Sequence, residues 1–178
     1  MNDLLQGLSL EKLSAKDALD LAILIEEEAR ERYTVLVGQV GGRYAGDASD
    51  MFRAMAANEA KHGDELSERR RQLYGDEARA VTRDMLYEVE APDMGATRVF
   101  MSARQAMEVA LASEQKAREF FEQALLVVKD PQVRTLFASL REEEVQHEAW
   151  VRARLETLPP GPDLEDDEAD EPGSDPGN

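Results

Sequence analysis

The chain has 178 residues, 42% of them apolar, enough for one compact domain with a sizeable core. Its 38 acidic against 21 basic residues leave a formal charge of -17, which repels nucleic acid and anionic membrane surfaces and excludes both as expected partners. With no Cys, the chain itself offers no disulfide, thiol nucleophile, zinc ribbon or Cys-ligated iron, a composition suited to a reducing compartment.

From the N-terminus, Met1 to Leu13 mixes apolar residues with Asn2, Asp3, Gln6, Glu11 and Lys12, unlike the basic-then-apolar layout of a secretory signal. No apolar run approaches the ~20 residues that span a bilayer. A cytoplasmic protein is expected.

Helix A is predicted to open at Ser14 with Asp17, a variant capping box, and to close at Gly38, Gly41 and Gly42. Helix B is capped by Asp47 or Ser49 and runs to about Leu73, before Gly75. A longer stretch follows, Asp76 to Met101, containing Pro92 and Gly95; its length suits a crossover along a bundle, partly helical near Ala78 to Val89. Ser102 with Gln105 is a capping box for helix C, and Asp130 with Pro131 is an N-cap with Pro at the first position of helix D. Helix D stops at Pro159 and Pro160. Pro159 to Asn178 hold five of the seven prolines, eight acids and no base, so residues 159–178 are expected to be a disordered acidic tail behind a domain of residues 1–158.

Short turns between A and B and between C and D make two antiparallel hairpins, joined by the crossover. The hairpins also repeat each other. Glu26-x-x-Ala29-Arg30-Glu31-x-Tyr33 matches Glu114-x-x-Ala117-Arg118-Glu119-x-Phe121, and Phe52 precedes Glu59-x-x-His62 as Phe137 precedes Glu144-x-x-His147.

Helical spacing turns Leu19, Ala22, Glu26, Ala29, Tyr33, Leu36 and Val40 of helix A inward, and Met107, Ala110, Glu114, Ala117, Phe121, Ala124 and Val128 of helix C. Helix B contributes Phe52, Met55, Glu59, His62, Leu66 and Leu73; helix D contributes Val133, Phe137, Leu140, Glu144, His147 and Val151. Each apolar stripe is thus broken at mid-length by Glu or by Glu-x-x-His. Counted from the turns at ~1.5 Å per residue, the six polar groups fall within about one helical turn of a common level.

Four carboxylates in an apolar layer lose several kcal/mol of hydration each unless something neutralises them. Two divalent cations would do so, and residues three apart on a helix can put Glu and His on one metal. Oxygen-plus-imidazole ligation suits iron or manganese. A single Glu-x-x-His in a Glu-rich helical chain is weak support, since surface ion pairs use the same spacing. Here the only two histidines both fit, each on an apolar stripe and each with a partner Glu helix at matching depth. Tyr33 reads as a core aromatic, with a redox or hydrogen-bonding role beside the metals as the alternative. Glu27, Glu28, Glu142 and Glu143 are expected in solvent, and the Arg69, Arg70, Arg71 run at an exposed end of helix B.

One Glu from each of two helices and Glu-x-x-His from the other two resembles the ferritin-like di-iron carboxylate superfamily, most closely rubrerythrin-type domains and, in ligand set, bacterioferritins. The resemblance covers roughly Lys12 to Leu158 and implies an all-α, ferritin-like four-helix bundle. It implies two iron ions held by Glu26, Glu59, His62, Glu114, Glu144 and His147, with Glu59 and Glu144 bridging and Glu26 and Glu114 terminal. Ala117 stands where rubrerythrins carry a second glutamate, so their redox-linked iron shift is not carried over. Ala60 stands where bacterioferritins place a haem-ligating Met, so no haem is expected. The implied activity is oxidation of Fe(II) by hydrogen peroxide or dioxygen, with an external electron donor and a homodimer or larger homo-oligomer. The alternatives are an oligomeric iron-storage or iron-delivery protein, or a structural di-metal bundle without turnover.

Overall fold

In the computed structural model, residues 8–39, 48–86, 89–93 and 101–159 are described. Four long helices account for most of them: α1 (Ala15–Gln39), α2 (Ala48–Tyr74), α3 (Ala103–Val127) and α4 (Pro131–Thr157). The architecture is all-α and consistent with a ferritin-like four-helix bundle. α1 packs along α2 and α3 along α4; α2 also meets α3, and a smaller contact joins α1 to α4.

The helix ends follow from local chemistry. At α1 the Ser14 N–H donates to Asp17 Oδ2 (3.3 Å) while the Asp17 N–H donates to Ser14 Oγ (3.1 Å), so two otherwise unpaired donors are satisfied reciprocally. Ser102 and Gln105 form the same reciprocal pair at α3. Asp130 Oδ1 accepts from the N–H groups of Gln132 (2.8 Å) and Val133 (3.1 Å), with Pro131 at the first position of α4. α2 stops at Gly75, whose φ of +56° lies in the left-handed region that a side chain disfavours.

Several expectations shift. Ser49 lies inside α2 and donates to the Val37 carbonyl (3.5 Å), so it is not the cap; Asp47, Gly41, Gly42 and Val40 lie outside the described residues, as does the tail beyond Pro159. Gly38 sits within α1 and does not end it. The helix expected near Ala78 to Val89 is, among the described residues, only the short 3-10 turn Arg83–Met85. Leu73 is 60% exposed: it lines a surface groove with Leu19 and Leu136 and does not enter the core.

The core has two regions on either side of the polar mid-level. One gathers Leu19, Ala22, Phe121, Val133 and Phe137; the other gathers Tyr33, Phe52, Met55, Met107, Ala110 and Val151. The repeat seen in sequence is physical. Tyr33 packs on Phe52 with ring centroids 6.0 Å apart, and its counterpart Phe121 packs on Phe137 at 5.5 Å. Among the described residues no helix is long and apolar enough to cross a membrane.

Candidate metal centre

At mid-length each apolar stripe gives way to the anticipated polar groups, and the bundle brings all six together. Ligand atoms of Glu26, Glu59 and His62 lie within 4.8 Å of one another, as do those of Glu114, Glu144 and His147. The His62 and His147 rings stack face to face, centroids 4.7 Å apart and 4° from parallel, which joins the two triads. His147 Nδ1 stands 3.1 Å from Glu114 Oε2 and 3.4 Å from Glu144 Oε2, and His62 Nδ1 stands 3.9 Å from Glu26 Oε2. Both imidazoles therefore turn Nδ1 to the carboxylates. On the far side of His147, Asn58 Nδ2 lies 3.4 Å from Nε2, placed to fix the ring's orientation.

A seventh group, not anticipated from the sequence, joins this level. Glu90, on the α2–α3 connection, lies within 4.8 Å of both Glu26 and Glu144, and of both Glu59 and Glu114. It sits outside any helix, so no periodicity marks it; the only signal is an acid between the apolar residues Val89 and Ala91.

The carboxylates are deeply buried: Glu26 4%, Glu59 1%, Glu90 1%, Glu114 0% and Glu144 2% exposed. Burial, with the charge of Glu90 next, raises Glu26 well above the usual carboxylate range. Burial and then Glu114 raise Glu59, and burial and then Glu59 raise Glu90. Glu144 is pushed up to about 8, chiefly by burial, against the favourable bond to His147. Burial alone would lower His147, but its bonds to Glu114 and Glu144 outweigh it and hold the imidazole at about 10. His62, with no such close pair, is lowered by burial and by the neighbouring His147.

Buried polar atoms are nearly always partnered. Here Glu26 Oε2, both oxygens of Glu59, both of Glu90 and Glu114 Oε1 receive no hydrogen bond. Such a cluster of converging, unpartnered oxygens beside two imidazoles fits divalent cations, which supply the missing positive charge and take oxygen and nitrogen donors.

Between α1 and α2 a cleft of about 140 Å³ reaches this level, with Glu26 and Glu59 at its floor and Glu27, Glu31 and Asp64 along its walls. Small residues on α2, Ala60 and Gly63, leave it room. A larger groove of about 530 Å³, lined by Leu19, Leu73 and Leu136 among others, is formed by none of the clustered residues.

Two neighbouring expectations need correction. Glu28 is buried, not solvated, and its Oε1 accepts from Arg32 one turn further along α1 (3.3 Å). Arg70 is also buried: its Nε bonds Asp20 (2.5 Å), and its terminal nitrogens donate to the carbonyls of Gly75 (3.1 Å) and Glu77 (2.6 Å). Tyr33 is fully buried in the core beside the cluster, and burial followed by the Glu114 and Glu59 charges raises its phenol well above the ordinary value.

The family model for rubrerythrin matches residues 17–169. The chain belongs to the rubrerythrin family. Solved structures agree on the fold. An uncharacterized conserved protein from Magnetospirillum magnetotacticum MS-1 is 27% identical with a TM-score of 0.64, covering 85% of this chain and 100% of that one. A hypothetical protein from Pyrococcus furiosus is 22% identical (TM-score 0.53; 84% and 95% covered). The bacterioferritin-related protein from Bacteroides fragilis, described as a dodecameric thioferritin, is 20% identical (TM-score 0.53; 86% and 90% covered). Curated proteins offer no match. Within the rubrerythrin fold of this chain, Ala117 is fully buried and adds no carboxylate one turn beyond Glu114.

Proposed function

We propose that this rubrerythrin-family protein holds two iron ions through Glu26, Glu59, His62, Glu114, Glu144 and His147, and oxidises Fe(II) with hydrogen peroxide or dioxygen. The observation that carries the reading is the convergence of buried, unpartnered carboxylate oxygens with the only two histidines of the chain. When bound, an iron pair supplies two single-electron equivalents, which with two protons from solvent convert one hydrogen peroxide into two waters.

The protein's own groups do the rest. Four helices fix the ligands before any ion arrives, which reduces the reorganisation that binding must overcome. The Tyr33–Phe52 and Phe121–Phe137 pairs pack the bundle core around the site and limit access of bulk water. The cleft over Glu26 and Glu59 has room for a molecule of the size of peroxide, since a liquid water occupies about 30 Å³. With no Cys in the chain, electrons to re-reduce the iron come from an external donor. Manganese would use the same donors. The reading places the protein in a reducing compartment such as the cytoplasm and includes a homo-oligomer, as described for the Bacteroides fragilis relative.

The test is anaerobic loading with Fe(II) followed by stopped-flow mixing with peroxide and, separately, with oxygenated buffer. The expected result is near-ultraviolet charge-transfer absorbance at two irons per peroxide consumed. A loaded site inert to both oxidants would overturn the oxidative reading and leave a structural di-metal bundle.

A further inference from the structure

We propose that Glu90 is a fifth carboxylate ligand of the metal centre, carried in by the α2–α3 connection and shared between the two triads. The inference rests on the metal-centre reading and extends it beyond the four helices.

Position is the first argument. Glu26, Glu59, Glu114 and Glu144 come one from each helix, and Glu90 has an oxygen within 4.8 Å of a ligand atom of every one of them. A residue serving one half of the site would approach one triad; Glu90 approaches both.

Chemistry is the second. Glu90 is 1% exposed, and neither carboxylate oxygen receives a hydrogen bond. A purely structural acid at such depth would need a cation, several donors or a bound proton, because a buried carboxylate left charged and alone forfeits several kcal/mol of hydration. Among the described residues no Lys or Arg pairs with it; its close neighbours are the other four carboxylates. A metal shared with those neighbours removes the conflict.

The segment is also firmly held. The Ser113 hydroxyl donates to the Glu90 carbonyl, and Lys116 Nζ donates to the Ala91 carbonyl (2.7 Å), so α3 fixes the backbone on the turn that carries Glu114. Val89 and Ala91 are buried on either side. Upstream, Arg79 bonds Glu27 (3.1 and 3.2 Å), Arg83 bonds Glu31 (2.5 Å) and Lys16 Nζ donates to the Ala78 carbonyl (2.6 Å), which ties the connection to α1. The connection is thus fastened to both hairpins, and among its described residues Glu90 is the one whose side chain joins the cluster.

The consequence is a charge count. Five carboxylates oppose two divalent ions with one negative charge in excess, so the full ligand set favours a pair carrying more than four positive charges. Removing Glu90 should weaken metal binding and raise the reduction potential of a bound iron pair.

The experiment titrates Co(II) and Zn(II) into the full metal-free chain, into Glu90→Gln and into Glu59→Gln, following heat and the Co(II) visible spectrum. Hydrogen–deuterium exchange of residues 89–93 is measured with and without Zn(II). Glu90→Gln is expected to lower Co(II) affinity at least tenfold and alter the spectrum, and Zn(II) is expected to slow exchange of residues 89–93 in the parent. Parent-like affinity and spectrum in Glu90→Gln, with weakened binding in Glu59→Gln, would overturn the proposal while leaving the six-residue centre intact. Absence of binding in the parent would overturn both together. Unchanged exchange in a parent that binds Zn(II) would remove Glu90 alone, and this last measurement needs no variant to fold.

Discussion

Replacing Glu59 by Met should change the sign of its effect on stability according to whether metal is present. Glu59 is 1% exposed and both its oxygens are unpartnered, with Glu26 and Glu114 adding repulsion. An unsatisfied buried polar group costs about 1–3 kcal/mol, and Met fills similar space without a polar atom. For a domain of this size each kcal/mol shifts the melting temperature by roughly 2–4 °C, so Glu59→Met should melt about 2–12 °C above the parent in chelator. With metal at a hundredfold over its dissociation constant, the parent gains about 2.7 kcal/mol per site, which the variant forfeits wherever Glu59 is a ligand. The assay is a calorimetric melt of both proteins in chelator and in saturating Zn(II). A chelated variant less stable than the chelated parent would refute the reasoning, because the carboxylate would then be stabilising the bundle without a cation.

Other outcomes follow from the same geometry. In chelator, Glu144 keeps its proton up to about pH 8 in the folded state, whereas the unfolded carboxyl ionises at the ordinary value of 4.5; Glu26, Glu59 and Glu90 shift the same way. The folded state then binds more protons than the unfolded one, so stability is fully present below about pH 4.5 from these groups and falls as pH rises toward 8. His147, held at about 10, extends the decline to higher pH, and urea melts across this range would show it; rising stability from pH 5 to 8 would contradict it. His147→Ala and His62→Ala should each reduce metal content, read by elemental analysis, from about two ions per chain to about one. Arg70→Ala removes the closer of two cationic partners of the fully buried Asp20, leaving Lys16 at 3.5 Å, together with two carbonyl contacts, and should destabilise by up to about 3–5 kcal/mol in denaturant melts without changing metal stoichiometry.

The helices and the six clustered polar groups on them were legible because both obey local rules. Ser14, Ser102 and Asp130 mark helix starts by chemistry that depends on residues three positions away or fewer, and the Glu and Glu-x-x-His groups stand out as polar breaks in periodic apolar stripes. What failed to show was whatever depended on contacts between distant segments. Arg70 looks like one of three surface arginines until α1 supplies Asp20 fifty positions earlier. Glu90 lies in a non-periodic stretch whose path is set by Ser113 and Lys116 of another helix, and the expected helix there is displaced by these contacts and by the Arg79 and Arg83 pairs to α1.

The connection occurs once, whereas the hairpins it joins are near copies. Two identical hairpins associating about a two-fold axis would present every ligand in duplicate, and so could assemble the six helical groups without any covalent link. An odd seventh group is open only to a fused chain. As a single group within reach of both triads, Glu90 breaks the pairwise duplication of the cluster, and gives one continuous polypeptide an option that a symmetric dimer of half its length does not have.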